Sequence, residues 1–445
     1  MNEYSIGEIP AYCDVLVIGG GPAGSSAATH LARSGVDVVL LEAAGFPRDQ
    51  VGESLIPHVW KFTDGLGVSE KIEKEGFVKK AGGLSVWDGR IRQIGFSRYG
   101  FDRPGLHVER DVFDDLLLRH AWRNGAGIFT EVSVAKADFT DPDKPTLDYI
   151  DKRGANSVKR SIACRYVVDA SGHRSFLARQ FGTRRSVSSK LQFLSIWGYF
   201  RNSRYLGDDR KSHAMEELGK ALPVTFVLSH DDGWLWHIVL RDKTSVGLVI
   251  HTDKIQGMKS PDRERFFLQT CERLPYLREL LATAEYIPDS VRYRPDYSYY
   301  NADPCGENYY CIGDAGAFVD PIFSNGVQTA FFNAAAASLS IQESLRRKQN
   351  RRRYSTLCKT RLQQYYGFTR AMALGDFGIN GVDTVLVKNM VKSMSAQELA
   401  LLVDAATMTN RSEYILQMAK EVGVLGDRWD GVKQVGYGAI SSLEL

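Results

Sequence analysis

The first stretch of the chain with a readable pattern lies between Asp14 and Glu42. An apolar run, Val15 to Ile18, gives way to a glycine turn. Apolar residues then return at helical spacing from Ala23 to Ser34, and a second apolar run follows from Val36 to Leu41. A continuous run, a 3.6-residue period and another continuous run predict a strand, a helix and a second strand in a compact βαβ unit. Helical periodicity resumes after Arg110 and holds to Ala121, while Tyr166 to Ala170 reads as a short strand stopped by Ser171-Gly172. Both are expected to rejoin the first sheet.

From about Val187 to Tyr293 the pattern changes to short β-like runs: Leu194 to Phe200, Val224 to Leu228, Trp234 to Leu240 and Ser245 to Ile250. They predict a second, mainly antiparallel sheet. Tyr309 to Gly313 reads as another buried strand, leading into a Gly- and Ala-rich helix through Ala337. Beyond it the chain stays helical, becomes basic between Arg346 and Arg353, and turns aromatic at Tyr365, Tyr366 and Phe368. The expected layout is a nucleotide-binding domain over 1–186 with an inserted active-site segment around 51–105. A sheet domain follows over 187–300, then a return segment over 301–340 and a helical extension over 341–445. The fold class is α/β.

Composition changes this picture little. With 56 Lys+Arg against 53 Asp+Glu over 445 residues, the net charge of +3 argues against a nucleic-acid partner. Val15 to Ile18 is too short for a signal segment or a spanning helix, so a cytoplasmic protein without a membrane partner is expected. The six cysteines, Cys13, Cys164, Cys271, Cys305, Cys311 and Cys358, form no Cys-x-x-Cys pair and no zinc spacing. Reduced structural thiols and no metal site are expected.

Candidate chemistry begins at Gly19, Gly21 and Gly24, a Gly-x-Gly-x-x-Gly placed between a strand and a helix. There the chain must turn tightly, and the free N–H groups of a helix start face a pyrophosphate. Glu42 closes the second strand where a carboxylate is needed for a ribose. Further along, Cys311-Ile312-Gly313-Asp314-Ala315-Gly316-Ala317 resembles the Gly-Asp motif of FAD-dependent hydroxylases and halogenases, which implies FAD and gives Asp314 a ribityl hydroxyl to hold. Capping the following helix is the lesser alternative for Asp314, and the two roles are compatible. Asp169-Ala170-Ser171-Gly172 also resembles an element of that family, and a simple strand-end turn accounts for it equally well. Arg48, Arg110 and Gly326 complete the expected cofactor set.

Four segments sharpen the resemblance to flavin-dependent halogenases. Val51-Gly52-Glu53-Ser54-Leu55-Ile56-Pro57 resembles the family's Gly-Glu-Ser segment, and Lys80, in Phe77-Val78-Lys79-Lys80-Ala81-Gly82-Gly83, falls on its essential lysine. Gly233-Trp234-Leu235-Trp236-His237-Ile238-Val239 is similar to the family's Trp-x-Trp-x-Ile-Pro, with Val239 in place of proline. In the family these tryptophans line the passage between flavin and substrate. Asp320-Pro321-Ile322-Phe323-Ser324-Asn325-Gly326 resembles the loop at the flavin ring, which implies a halide at Ser324, Asn325 and Gly326 and a catalytic part for Ser324. These segments span residues 12 to 335.

The resemblance implies FAD reduced by a separate flavin reductase, O2, and chloride or bromide converted to hypohalous acid. The oxidant would be delivered to Lys80, which either orients it or carries it as a haloamine. Tryptophan-directed members carry a glutamate where this chain has Phe323, so the resemblance points to the branch acting on phenols or pyrroles in natural-product biosynthesis. Its compact length points further to an aromatic substrate tethered to a carrier protein. The basic run from Arg346 suits an acidic carrier, or simply a solvated helix face. Three rivals share parts of the pattern: an aromatic hydroxylase, separable by halide dependence, a reductase of isoprenoid double bonds, and a flavin-binding scaffold without catalysis.

Overall fold

A computed structural model describes residues 4–186, 193–255, 257–294, 298–374 and 434–435. At its centre Tyr12–Ile18 runs parallel to Val38–Leu41 on one side and to Val158–Asp169 on the other. Gly127–Phe129 and Tyr309–Cys311 extend the parallel part, and an antiparallel hairpin of Val132–Asp138 and Thr146–Asp151 closes one side. Every residue of Val38–Leu41 is buried, because helices and hairpin cover both faces of the sheet. Burial on both faces removes the alternation of a half-exposed strand, hence the continuous apolar runs.

The crossover helix Pro22–Arg33 packs on the 21-residue helix Gly326–Arg346. Ala27, Ala28, Ala330, Ala334 and Ala337 share that core, and their small side chains let the two helices approach closely. Helix Arg351–Leu374 packs on the second of these and adds Cys358 and Leu362 to the same core. All six cysteines are buried and unpaired. Among the described residues no helix is long and apolar enough to cross a membrane.

Several boundaries differ from those expected, each for a local reason. The second strand begins at Val38, because the Val36 N–H caps the preceding helix by bonding to the Leu31 carbonyl. Tyr166 to Asp169 is only the end of a strand that starts at Val158. Its first half, with Lys159, Arg160 and Ser161, is exposed in the hairpin and carries no apolar pattern. The Gly-Ala-rich helix continues past Ala337 to Arg346.

The second sheet is nine-stranded. Phe193–Arg201, Thr244–His251, Gly233–Val239 and Val224–His230 succeed one another antiparallel, as the β-like runs suggest. It then takes in Gly82–Trp87, parallel to Val224–His230, and Arg90–Gly95, so it draws strands from the 51–105 segment as well. Gln434–Val435, within the segment expected to be helical, pairs with Arg90–Gly95. Ser54–Leu55, Gly105–His107 and Val78–Lys80 form a small antiparallel sheet of their own, tied to the nine-stranded one by the contact of Ser54 Oγ with Thr225 Oγ1. Two short helices, Val59–Leu66 and Ser69–Glu75, sit beside it and end at Gly67 and Gly76.

Candidate active site

A cavity of about 650 Å³ runs from the glycine turn to the faces of Trp234 and Trp236. At its first end the backbone leaves no room for side chains. A Cβ on Gly24 would lie 1.9 Å from the Gly19 carbonyl oxygen, and one on Gly19, whose φ is +101°, would lie 2.4 Å from the Ala170 carbonyl oxygen. Helix Pro22–Arg33 starts there with no side-chain cap and no acidic residue in its first turn, so its N-terminal N–H groups and partial positive charge face the cavity. The Glu42 carboxylate accepts from the N–H groups of Gly20 at 2.7 Å and Ala44 at 2.8 Å, which fixes its orientation and leaves lone pairs for a ribose.

The cations expected at this end divide their work. Arg48, stacked over Phe46, borders the cavity beside Gly21. Arg110 forms a two-pronged pair with the fully buried Asp114 at 2.8 and 3.0 Å and donates to the carbonyls of Val51 and Gly52. Its guanidinium therefore holds the wall as well as facing the cavity. Asp169 is also a wall residue: its carboxylate accepts from the N–H groups of Ser171 and Leu177 and shapes the turn, while Ala170, Ser171 and Gly172 line the cavity. Asp314 borders the middle. Burial pushes its carboxyl above the usual carboxylate range, and Arg294 and Arg110 oppose that rise.

At the far end Trp234 and Trp236 stand with ring centroids 6.0 Å apart, both buried. The Trp236 indole N–H donates to Ser245, whereas Trp234 Nε1 is buried with no hydrogen-bond partner among the described residues. The loop opposite turns at Ser324, whose φ is +53°, after Asp320 caps the turn by accepting from the Ile322 N–H. Ser324 and Gly326 line the cavity, and Asn325, at the start of helix Gly326–Arg346, borders a second cavity of about 310 Å³. A close glycine cradle, a carboxylate oriented by backbone N–H groups, a buried carboxyl at mid-length and an orphaned indole donor fit an elongated dinucleotide such as FAD.

Lys80 lies outside that lining and is tied to it. Its side chain is 3% exposed, and its amine donates to Ser54 Oγ at 2.6 Å; the Ser324 hydroxyl donates to the same oxygen at 2.9 Å. Ser54 Oγ is also 3.0 Å from Thr225 Oγ1, which is 2.9 Å from His107 Nε2, and His107 Nδ1 is 2.9 Å from the Val239 carbonyl. The small sheet sets Ser54 opposite His107 and Lys80 opposite Gly105. Among the described residues no carboxylate pairs with Lys80, and burial lowers its pKa to about 7. Glu53, next to Ser54, is buried too; desolvation raises its pKa to about 7 although Tyr199 donates to it at 2.9 Å.

Thus Gly19, Gly21, Glu42, Arg48, Arg110, Asp314, Ser324, Gly326, Trp234 and Trp236 share one cavity, with Gly24 packed behind Gly19 and Lys80 one hydroxyl away. Ser54, Glu53, His107, Thr225 and Arg294 were not foreseen as functional. Ser54 and Glu53 stand inside a recognised motif and could have been named; His107, Thr225 and Arg294 carry no local signal. The basic run is partly committed to structure, since Arg351 is buried against Asp143 and Tyr166, and Lys348 also meets Asp143. Arg347, Arg352 and Arg353 stay exposed.

A family model described as an FAD binding domain matches residues 12–271. Over 386 residues the chain is 34% identical to the 1H-pyrrole-2-carbonyl-(peptidyl-carrier protein) chlorinase of Pseudomonas fluorescens, covering 80% of this chain and 82% of that protein. Over 337 residues it is 33% identical to a tryptophan 2-halogenase of Chondromyces crocatus, covering 75% of this chain, and it spans only 62% of that relative's length. Among solved structures, the myxobacterial chondrochloren halogenase CndH superposes with a TM-score of 0.75 at 28% identity, covering 93% of this chain and 97% of that one. The chain belongs to the flavin-dependent halogenases, built on an FAD-binding domain.

Proposed function

We propose that the chain halogenates an electron-rich aromatic ring, a pyrrole or a phenol presented on a carrier protein, with Lys80 as the residue that hands the oxidant to the ring. The observation that carries this reading is the hydrogen-bonded path from Ser324, on the cavity wall, through Ser54 to a buried lysine without a carboxylate partner. Bound FAD, reduced by a separate reductase, supplies two electrons which, with two from chloride or bromide, convert O2 to hypohalous acid and water. The N–H groups at the start of helix Gly326–Arg346, beside Ser324 and Asn325, hold the halide, since a helix N-terminus favours an anion. Trp234 and Trp236 wall the passage and exclude water, which would otherwise dilute the oxidant.

Near neutral pH a lysine with a pKa of about 7 offers both an ammonium donor and a free amine. Delivery by hydrogen bonding needs the first and a haloamine the second, so the rate falls with rising pH through 7 in one case and rises in the other. Phe323 packs among Trp234, Trp236 and Ile322 and places no carboxylate beside the lysine. That absence suits a ring reactive enough without a second general base, and the similarity to a carrier-protein chlorinase supports a tethered pyrrole. The similarity to a tryptophan 2-halogenase makes free tryptophan the control substrate.

The test is mass spectrometry of an aerobic reaction with FAD, a flavin reductase, NADH, halide and a panel containing pyrrolyl carrier protein, phenols and tryptophan. Halogenated product is expected, absent without halide. With Lys80→Ala it should fall by about a thousandfold or more, with FAD binding unchanged. Oxygenated product without halide dependence would make the protein a hydroxylase, and full activity of Lys80→Ala would remove the lysine from the mechanism.

A further inference from the structure

We infer that His107 is a positioning residue that, acting through Thr225 and Ser54, fixes the direction of the hydrogen bond made by the Lys80 amine and keeps the rest of that amine directed at the oxidant. The inference rests on the reading of Lys80 given above. Its geometry is a continuous chain of five groups taken from both the small sheet and the nine-stranded sheet. Lys80, Ser54 and His107 come from the first, Thr225 and Val239 from the second.

Each direction follows from the one before it. A backbone carbonyl only accepts, so the 2.9 Å contact with Val239 O requires the proton on His107 Nδ1. His107 is fully buried, with Lys80 and His237 as the titratable groups around it, and desolvation followed by the Lys80 charge holds its pKa well below the ordinary value. The ring is therefore neutral, and Nε2 is an acceptor. Thr225 has one hydroxyl proton and gives it to Nε2. The contact between Ser54 and Thr225 then needs the Ser54 proton. Ser54 Oγ has no other proton and uses its two lone pairs to accept from Lys80 and from Ser324.

The consequence falls on Lys80. In either charge state it must present an N–H to Ser54, so Ser54 never donates to the lone pair of the neutral amine. The opposite polarity, with a proton on Nε2, would set Nδ1 against the Val239 carbonyl, two acceptors 2.9 Å apart in a dry site, which is costly. It would also let the serine proton fall on the lysine lone pair and quench it. Val239 takes part only through its backbone carbonyl, so the lack of proline there leaves the anchor intact.

The test combines a structural and a chemical readout on the full-length holoenzyme. Nitrogen-15 NMR of histidine-labelled protein, with His107 assigned by its loss in His107→Gln, should show a neutral Nδ1–H ring throughout pH 6 to 9. An Nε2–H or charged ring would overturn the inference. His107→Leu and Thr225→Val should each lower halogenation by about tenfold or more, the worth of a hydrogen bond, at nearly unchanged KM. Both should shift the pH profile of Lys80 acylation by a small anhydride, read by peptide mass spectrometry, and release free hypohalite to a taurine trap. The double variant should be no worse than either single one. His107→Gln, whose Oε1 can still accept from Thr225, should recover most of the activity. If both single variants keep the wild-type profile and ratio of product to trapped hypohalite, His107 does not position the lysine. Should Lys80→Ala retain activity, the reading of Lys80 fails, while the NMR result still reports on the bond direction.

Discussion

The two ends of the site are built by opposite means. Around the glycine turn the work is done by backbone: free helix N–H groups, close-packed glycines, and carboxylates oriented by main-chain donors, as Glu42 and Asp169 are. Around Lys80 it is done by side chains from four separate strands, with the amine held by the Ser54 hydroxyl, which Thr225 links to the His107 imidazole, and with no carboxylate partner among the described residues. A backbone cradle tolerates change in the surrounding side chains but no added atom inside it. A side-chain network tolerates small shape changes but depends on every proton being in place. Damage to the first should appear as lost cofactor, and damage to the second as lost chemistry with the cofactor still bound.

The sharpest test of the cradle is Gly24→Val, because even the Cβ would lie 1.9 Å from the Gly19 carbonyl oxygen. The variant should retain no FAD on gel filtration, read from flavin absorbance; retention at the wild-type level would mean the turn is looser than it looks. Next in size is Asp114→Ala, which strips a fully buried carboxylate from Arg110 and from Arg48, 3.4 Å away. Leaving a buried guanidinium unpaired costs about 3–5 kcal/mol, visible as a lower denaturant midpoint without a change in slope.

At the lysine end the predictions concern pH, and they run in opposite directions for two neighbours. Lys80 has its pKa lowered from 10.5 to about 7, so between those values the unfolded chain binds more protons and stability rises with pH. Lys80→Met should therefore be more stable than wild type below about 7, by roughly 1–3 kcal/mol, and the gap should close as pH rises toward 10.5. Glu53 has its pKa raised from 4.5 to about 7, so between those values the folded chain binds more protons and stability falls with pH. The advantage of Glu53→Gln should be greatest above about 7, somewhat smaller than that of Lys80→Met, and vanish toward 4.5. Chemical denaturation from pH 5 to 10 checks both, and a pH-independent difference for either would show that its burial is relieved by water.

Legibility followed the same division. The glycine turn, Glu42 and the strand before them share one short stretch of chain, where period and spacing are local properties, and the structure keeps them together. Asp314, Ser324, Trp234, Trp236 and Lys80 were found through family motifs, and the fold brings the first four to one cavity. Strand Val158–Asp169 was half missed because its exposed end pairs in a hairpin and needs no apolar pattern. Strands Gly82–Trp87 and Arg90–Gly95 could be placed in the second sheet only once their pairing partners, far along the chain, were known.

By itself the amino-acid sequence determined the βαβ start, the dinucleotide cradle, the presence of a second sheet and the identity of the buried lysine as the residue to watch. Those are matters of local period and of short motifs whose groups act within a turn or two of the chain. Tertiary structure alone decided that Ser54 joins Lys80 to Ser324, that Arg110 and Arg351 are partly structural cations, and that His107, Thr225 and the Val239 carbonyl stand in line behind the lysine. Hydrogen bonds form across about 3 Å of space whatever the separation in sequence, and a single histidine or threonine in the chain carries no mark of the partner that folding will give it.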